Sequence, residues 1–185
     1  MKLNDALNVI RRRRSVRGYR PGQIKDEELQ AIIEAGIYAP TGHNDQPWHF
    51  TVVQDREKIA FMNQKAKEYM KDAPIDWMKK TAEDPKADIT YGAPTFILIS
   101  SREHAVSGQI DCCAAMENML LAAESLDIGS VWLGLMYFFF MWEGAKGYLQ
   151  IPEGYEPQYS AVFGYKAAPN RPAPARKMDV VTYIK

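Results

Sequence analysis

Cysteine is nearly absent. The chain has two, Cys112 and Cys113, and they stand side by side, so they cannot staple distant segments together. That usage fits a reducing, cytoplasmic setting. Histidine is also scarce: His43, His49 and His104 lack metal-ligand spacing, and no Cys or carboxylate cluster joins them, which argues against a metal site. Net charge is missing too, with Lys+Arg 23 against Asp+Glu 23. A balanced surface argues against a protein whose main task is gripping nucleic acid or an anionic membrane. The longest apolar run, Val131 to Trp142, is cut by Gly134 and falls short of the roughly 20 residues of a membrane span. The opening residues carry their basic run after the apolar ones and have no small-residue cleavage site, unlike a secretory signal. Internal repeats and low-complexity tracts are absent, which disfavours a solenoid.

What remains is ordinary globular material. Hydrophobic residues make up 46% and charged residues 25% of 185 positions, enough for one domain over residues 1–185. Leu3, Leu7 and Ile10 follow helical spacing, and a second helix is expected over 26–38 through Leu29, Ile32, Ile33 and Ile37. Trp48–Val53 reads as a strand and 56–71 as a helix, while 72–92 reads as a loop or short-helix excursion. Phe96-Ile97-Leu98-Ile99 is a continuous apolar run, as expected of a strand buried on both faces. Residues 108–126 make the strongest helix. Val131–Leu133 and Ser160–Phe163 read as strands, 136–149 as a helix, and 180–184 as a last strand or arm. The irregular alternation predicts an α+β fold with a mixed or antiparallel sheet.

Chemistry concentrates in four places. Arg13-Arg14-Ser15-Val16-Arg17 offers planar guanidinium forks and a hydroxyl, a donor set suited to phosphate; its plain alternative is a solvated basic helix end. Ala39-Pro40-Thr41-Gly42-His43-Asn44-Asp45-Gln46-Pro47-Trp48 holds a tight turn, and its amides could read the edge of a planar heterocycle. Leu126-Asp127-Ile128-Gly129 and Ser130 to Gly134 let the backbone pass close to a flat ligand or another chain. Phe163-Gly164-Tyr165 leads into a proline-rich tail through Pro169, Pro172 and Pro174 to Arg176-Lys177, which must lie on something.

Taken in this order, together with Gly92-Ala93-Pro94 before the apolar strand, these motifs resemble the nitroreductase family of FMN-dependent oxidoreductases from Arg13 to Lys177. The resemblance implies a three-layer sandwich in an intertwined homodimer, with terminal segments exchanged and one FMN in each of two interface sites. It implies that Arg13, Arg14 and Ser15 hold the FMN phosphate or ribityl chain, with Arg176 closing over the phosphate. Arg17 would sit near flavin N1 and O2. Pro40, Thr41, Gly42 and Asn44 would come from the second subunit, with Gln46 a further candidate, and Ile128-Gly129 would approach the pyrimidine edge or N5 side. The implied reaction passes a hydride from NAD(P)H through flavin N5 to an acceptor such as a nitroaromatic or quinone, in ping-pong order, so no catalytic nucleophile is needed.

Competing readings are a relative with other flavin chemistry (flavin fragmentation or dehalogenation), a non-catalytic flavin-binding dimer, or a nucleic-acid module using Arg11–Arg14. Trp77 and Tyr91 are expected as substrate contacts. The aromatic stretch 136–142 would either wall the substrate pocket or pack a hydrophobic dimer face, and packing is the expectation. Cys112 and Cys113 are expected as small apolar residues rather than a redox pair.

Overall fold

Capping and apolar spacing set the helices. The computed structural model describes residues 4–185, so the Leu3 of the first helical pattern lies outside the described residues. Helix α1 (Asp5–Arg12) starts on Asn4, whose side chain accepts from the Leu7 amide at 2.9 Å. Helix α2 (Asp26–Ile37) carries Asp26, Glu27 and Glu28 in its first turn, which suits the positive end of the helix dipole. Strand β1 (Trp48–Val53) leads to α3 (Arg56–Met70), capped by Asp55, and then to α4 (Asp76–Glu83). Strand β2 (Thr95–Arg102), helix α5 (Gly108–Ser125) and strand β3 (Ile128–Trp132) follow. Two single-turn helices, α6 (Tyr137–Phe140) and α7 (Ala145–Tyr148), precede β4 (Tyr155–Tyr165).

The strands form one sheet in the order β1-β2-β4-β3, and every pairing is antiparallel. Alternation along β2 explains the three layers. Phe96 and Leu98 point into a cluster with α3, α4, α6 and α7, which includes Met62, Met70 and Phe139. Ile97 and Ile99 point the other way, into a cluster with α2 and α5 that includes Ile32, Met116 and Met119. All four strand residues are fully buried, so the uninterrupted apolar run is what a central strand with helices on both faces requires. Gly36 lets α2 approach α5 closely, since a β-carbon there would stand 2.9 Å from Met119 Cγ.

Two expectations are corrected. The helix expected over 136–149 is instead the two short turns α6 and α7, separated by Met141 to Gly144. Within the chain the aromatic stretch packs inward: Phe139 is buried, and Phe138, Phe140 and Trp142 pack with it against α3, where Phe61 lies 5.6 Å from Trp142 and stacks 4.8 Å from Tyr148, while Tyr137 and Met141 are exposed. Of the two expectations for 180–184, the strand is not formed: the segment has no regular structure, and Met178, Val180, Val181, Tyr183 and Ile184 are exposed, which leaves the arm. Cys112 is buried as expected; burial pushes its thiol up to about 12, so it is protonated at neutral pH. Among the described residues, no helix is long and apolar enough to cross a membrane.

Phe139 fills the cluster on the α3 side at full burial. Phe139→Ala should lower unfolding stability by about 3–5 kcal/mol through lost transfer energy and the cavity left behind, read as a reduced midpoint in urea denaturation.

Candidate functional site

After α1 the chain leaves its helix and runs along the edge of the sheet. The Val16 amide donates to Ser130 O at 2.9 Å, Ser15 bridges Ser130, and Tyr19 bridges Lys166 just past β4. Ala167 N donates to Gly18 O at 3.1 Å, so the tail that follows β4 turns back over the same segment. Gly129 makes this approach possible, because a β-carbon there would meet Val16 Cγ1 at 2.8 Å and Lys166 Cγ at 3.0 Å.

Between these two strips, residues 13–18 on one side and 167–176 on the other, lies an open cavity of about 730 Å³. Arg13, Arg14, Ser15, Arg17 and Arg176 all line it, joined by Arg171, and no carboxylate lines it. Arg13 Nε is buried and has no hydrogen-bond partner; Glu117 Oε1 is the nearest counter-charge, at 3.5 Å. Four guanidinium groups and a hydroxyl around a further, half-buried arginine, on a cavity without carboxylates, are the chemistry of an anion site. Arg14 ties the walls: Nη1 donates to the carbonyls of Arg11 and Arg13, and Nε donates to Arg171 O at 3.2 Å. Arg17 lies over the Tyr91 ring, 5.7 Å from its centroid, with Nε 3.4 Å from the Tyr91 hydroxyl. Tyr91, expected as a substrate contact, thus packs on an arginine of the cavity. It sits in a left-handed turn with Gly92, pinned by Asp88, whose carboxylate accepts from the amides of Thr90 and Gly92. Trp77 lies exposed on α4, away from the cavity lining.

Behind the cavity stands a group that the motifs did not reveal. Glu124, near the end of α5, is 2% exposed and accepts from Arg12 Nε at 2.8 Å, Lys166 Nζ at 2.9 Å and Asn170 Nδ2 at 3.0 Å. Burial alone would raise its carboxyl, but the hydrogen bonds from Lys166, Asn170 and Arg12 bring it below the ordinary carboxylate range. Lys166 also donates to Asp127 at 2.9 Å, and that bond holds Asp127 low as well. In the sequence these are an unremarkable glutamate inside an apolar helix and a lysine and asparagine in a tail. Only their meeting in space marks them.

The remaining expected residues lie elsewhere. Ile128 is buried beneath the sheet in the α5 cluster, and neither it nor Gly129 lines the cavity. Pro40, Thr41, Gly42, Asn44 and Gln46 sit at the opposite end of α5, where the Gly42 amide donates to Asp111 Oδ1 at 3.3 Å. Positions 111 and 124 of one helix are about 20 Å apart at 1.5 Å per residue. This turn is held under backbone strain, with His43, Asn44 and Gln46 all left-handed. Gln46 Nε2 donates to Asn44 Oδ1 at 3.1 Å, and Asp45 pairs with Arg102.

The sequence profile of the Nitroreductase family matches residues 10–165. The chain belongs to the nitroreductase family. A candidate NADH dehydrogenase/NAD(P)H nitroreductase of Archaeoglobus fulgidus is 37% identical over 133 residues, covering 72% of this chain and 69% of that one. Among solved structures, a nitroreductase with bound FMN from Bacteroides fragilis superposes with a TM-score of 0.89 at 31% identity, covering 99% of this chain and 100% of the other. A second with bound FMN, from Desulfitobacterium hafniense, gives 0.90 at 28% identity and covers both chains completely. The family match takes in residues 13–18, one wall of the cavity, and ends at residue 165, before the tail that makes the other wall.

The Glu124 cluster makes this end of the molecule sensitive to acid. Both carboxyls are held low in the folded chain, so their contribution is present above the ordinary values of 4.5 and 3.8 and is lost as pH falls through the folded ones. The melting temperature should therefore drop steeply below about pH 4.5. Glu124→Gln should start lower by about 3 kcal/mol, because Lys166 is left buried against a neutral amide, and should show a shallower acid slope in calorimetry.

Proposed function

We propose that residues 1–185 act as one FMN-binding domain of an NAD(P)H-dependent oxidoreductase. The observation that carries this reading is the carboxylate-free arginine cavity, set on a fold whose solved relatives hold FMN. The donor set fits the group: Arg13 and Arg14 line one wall, Ser15 adds a hydroxyl, and Arg171 and Arg176 approach from the tail. Guanidinium forks match the oxygens of a terminal phosphate, and a cavity of this size takes more than the phosphate alone. When bound, FMN supplies the two-electron chemistry, taking a hydride from NAD(P)H and passing electrons to an acceptor such as a nitroaromatic or quinone.

The protein contributes binding, orientation and charge. Arg17, steadied by the Tyr91 ring, keeps a permanent positive charge on the lining. Such a charge favours the more negative, reduced form of a bound flavin. The turn at Pro40, Thr41, Gly42, Asn44 and Gln46 cannot reach the cavity of its own chain, because the length of α5 separates them. A second copy supplies it in our reading, which makes the working unit a homodimer. Two features support that assembly: Ile37, Tyr38, Val106 and Ile110 are exposed near the same end of α5, and the apolar residues of the tail are uncovered. An exchanged tail would cover both copies.

An absorbance spectrum of the purified protein, repeated with NADH or NADPH under nitrogen, tests the reading. Flavin bands that bleach support it; a colourless protein that takes up no added FMN defeats it. Arg17→Ala should keep FMN but lower its reduction potential, measured by dye-equilibrated titration; an unchanged potential would remove the role given to Arg17. Light scattering should return twice the 21.0 kDa chain mass.

A further inference from the structure

The run Arg11–Arg14 carries more cation than the cavity uses: Arg11 and Arg12 do not line it. Arg12 points to Glu124, donating to its carboxylate through Nε and to its carbonyl through Nη2 at 3.1 Å. The same carboxylate takes Lys166 and Asn170, and Asn170 Nδ2 also donates to Arg12 O at 3.1 Å. Glu124 therefore joins three stretches of chain: the residue just before the first cavity arginine, the end of α5, and the start of the tail. The two walls of the cavity are laced by the main-chain bond from Ala167 to Gly18 and by this clasp.

Charge is balanced within the clasp. Glu124 and Asp127 offset Arg12 and Lys166, so the cluster takes nothing from the cavity arginines. The Asn170 amide is oriented by Glu124 together with the Arg12 carbonyl, since its own Oδ1 is buried without a partner.

We propose that Glu124 is a positioning residue that sets the preference of the cavity for a phosphate-bearing flavin over the phosphate-free one. This rests on the reading that the cavity receives the FMN phosphate. Without the carboxylate, Asn170 keeps only the Arg12 carbonyl, Lys166 keeps only the exposed Asp127, and the tail holds Arg171 and Arg176 less firmly against Arg13 and Arg14. Donors that no longer converge cannot bind one phosphate together. Riboflavin lacks that phosphate, so its binding is indifferent to the clasp.

The test strips the flavin from the purified protein and titrates back FMN and riboflavin, following quenching of flavin fluorescence. Glu124→Gln and Asn170→Ala are compared with the natural chain. Asn170→Ala removes only the tail arm of the clasp and decides the matter if Glu124→Gln does not fold. In both variants the FMN Kd should rise roughly tenfold while the riboflavin Kd holds, so the ratio of the two falls by the same factor. A general loosening of the fold would weaken both ligands alike and leave the ratio unchanged, which overturns the proposal. If the natural chain itself fails to prefer FMN, the phosphate reading of the cavity falls, and the role of Glu124 with it. If the natural chain prefers FMN and the variants do so equally, the phosphate reading stands and the role of Glu124 alone is lost.

Discussion

A carboxylate buried at the end of a long apolar helix has to be met by cations, and Glu124 is met from two directions in sequence. Arg12 arrives from the N-terminal side, and Lys166 and Asn170 arrive from the far end of the chain. Leaving such a charge unpaired would cost more than the fold can readily offset, so the segments after α1 and after β4 are obliged to converge on the end of α5. Their convergence creates the cavity. Arg13, Arg14, Ser15 and Arg17 then fall on one wall and Arg171 and Arg176 on the other, as a consequence of where their neighbours are anchored.

Helix α5 imposes a second constraint. Its middle is locked between the sheet and α2, where Met116, Met119, Leu120 and Ala123 leave no freedom to shift. Its two ends are thereby held at a fixed separation. At one end stands the arginine cavity, and at the other the strained turn that Asp111 steadies through Gly42. A single chain places the arginine cavity and the turn on opposite ends of a rigid rod. The homodimer we propose resolves this, because a second rod running the other way would bring one chain's turn to its partner's cavity.

The layers of the fold are legible in the residues because burial acts locally on pattern. Phe96 to Ile99 had to be a strand covered on both faces, and the helices over 26–37 and 108–125 show their apolar spacing openly. The region 136–149 was not legible in the same way. Residues 136–149 read as one helix, but the chain turns between two short helices, and in that arrangement Trp142 and Tyr148 both reach Phe61 on α3 while Phe139 packs on Tyr148. Packing of large rings outweighed helical continuity there.

The sequence by itself determined the α+β class, the positions of most elements, and the phosphate-suited character of Arg13, Arg14, Ser15 and Arg17, since each depends on spacing or on residue chemistry within a few positions. Family membership rested on the order of those motifs. The tertiary structure alone decided that Arg171 joins the cavity, that Tyr91 supports Arg17, and that Arg12, Glu124, Lys166 and Asn170 form one cluster. Residues 12, 124 and 170 carry no mutual signal along the chain. Electrostatic pairing of a buried charge depends on distance in space, and only the folded backbone sets that distance.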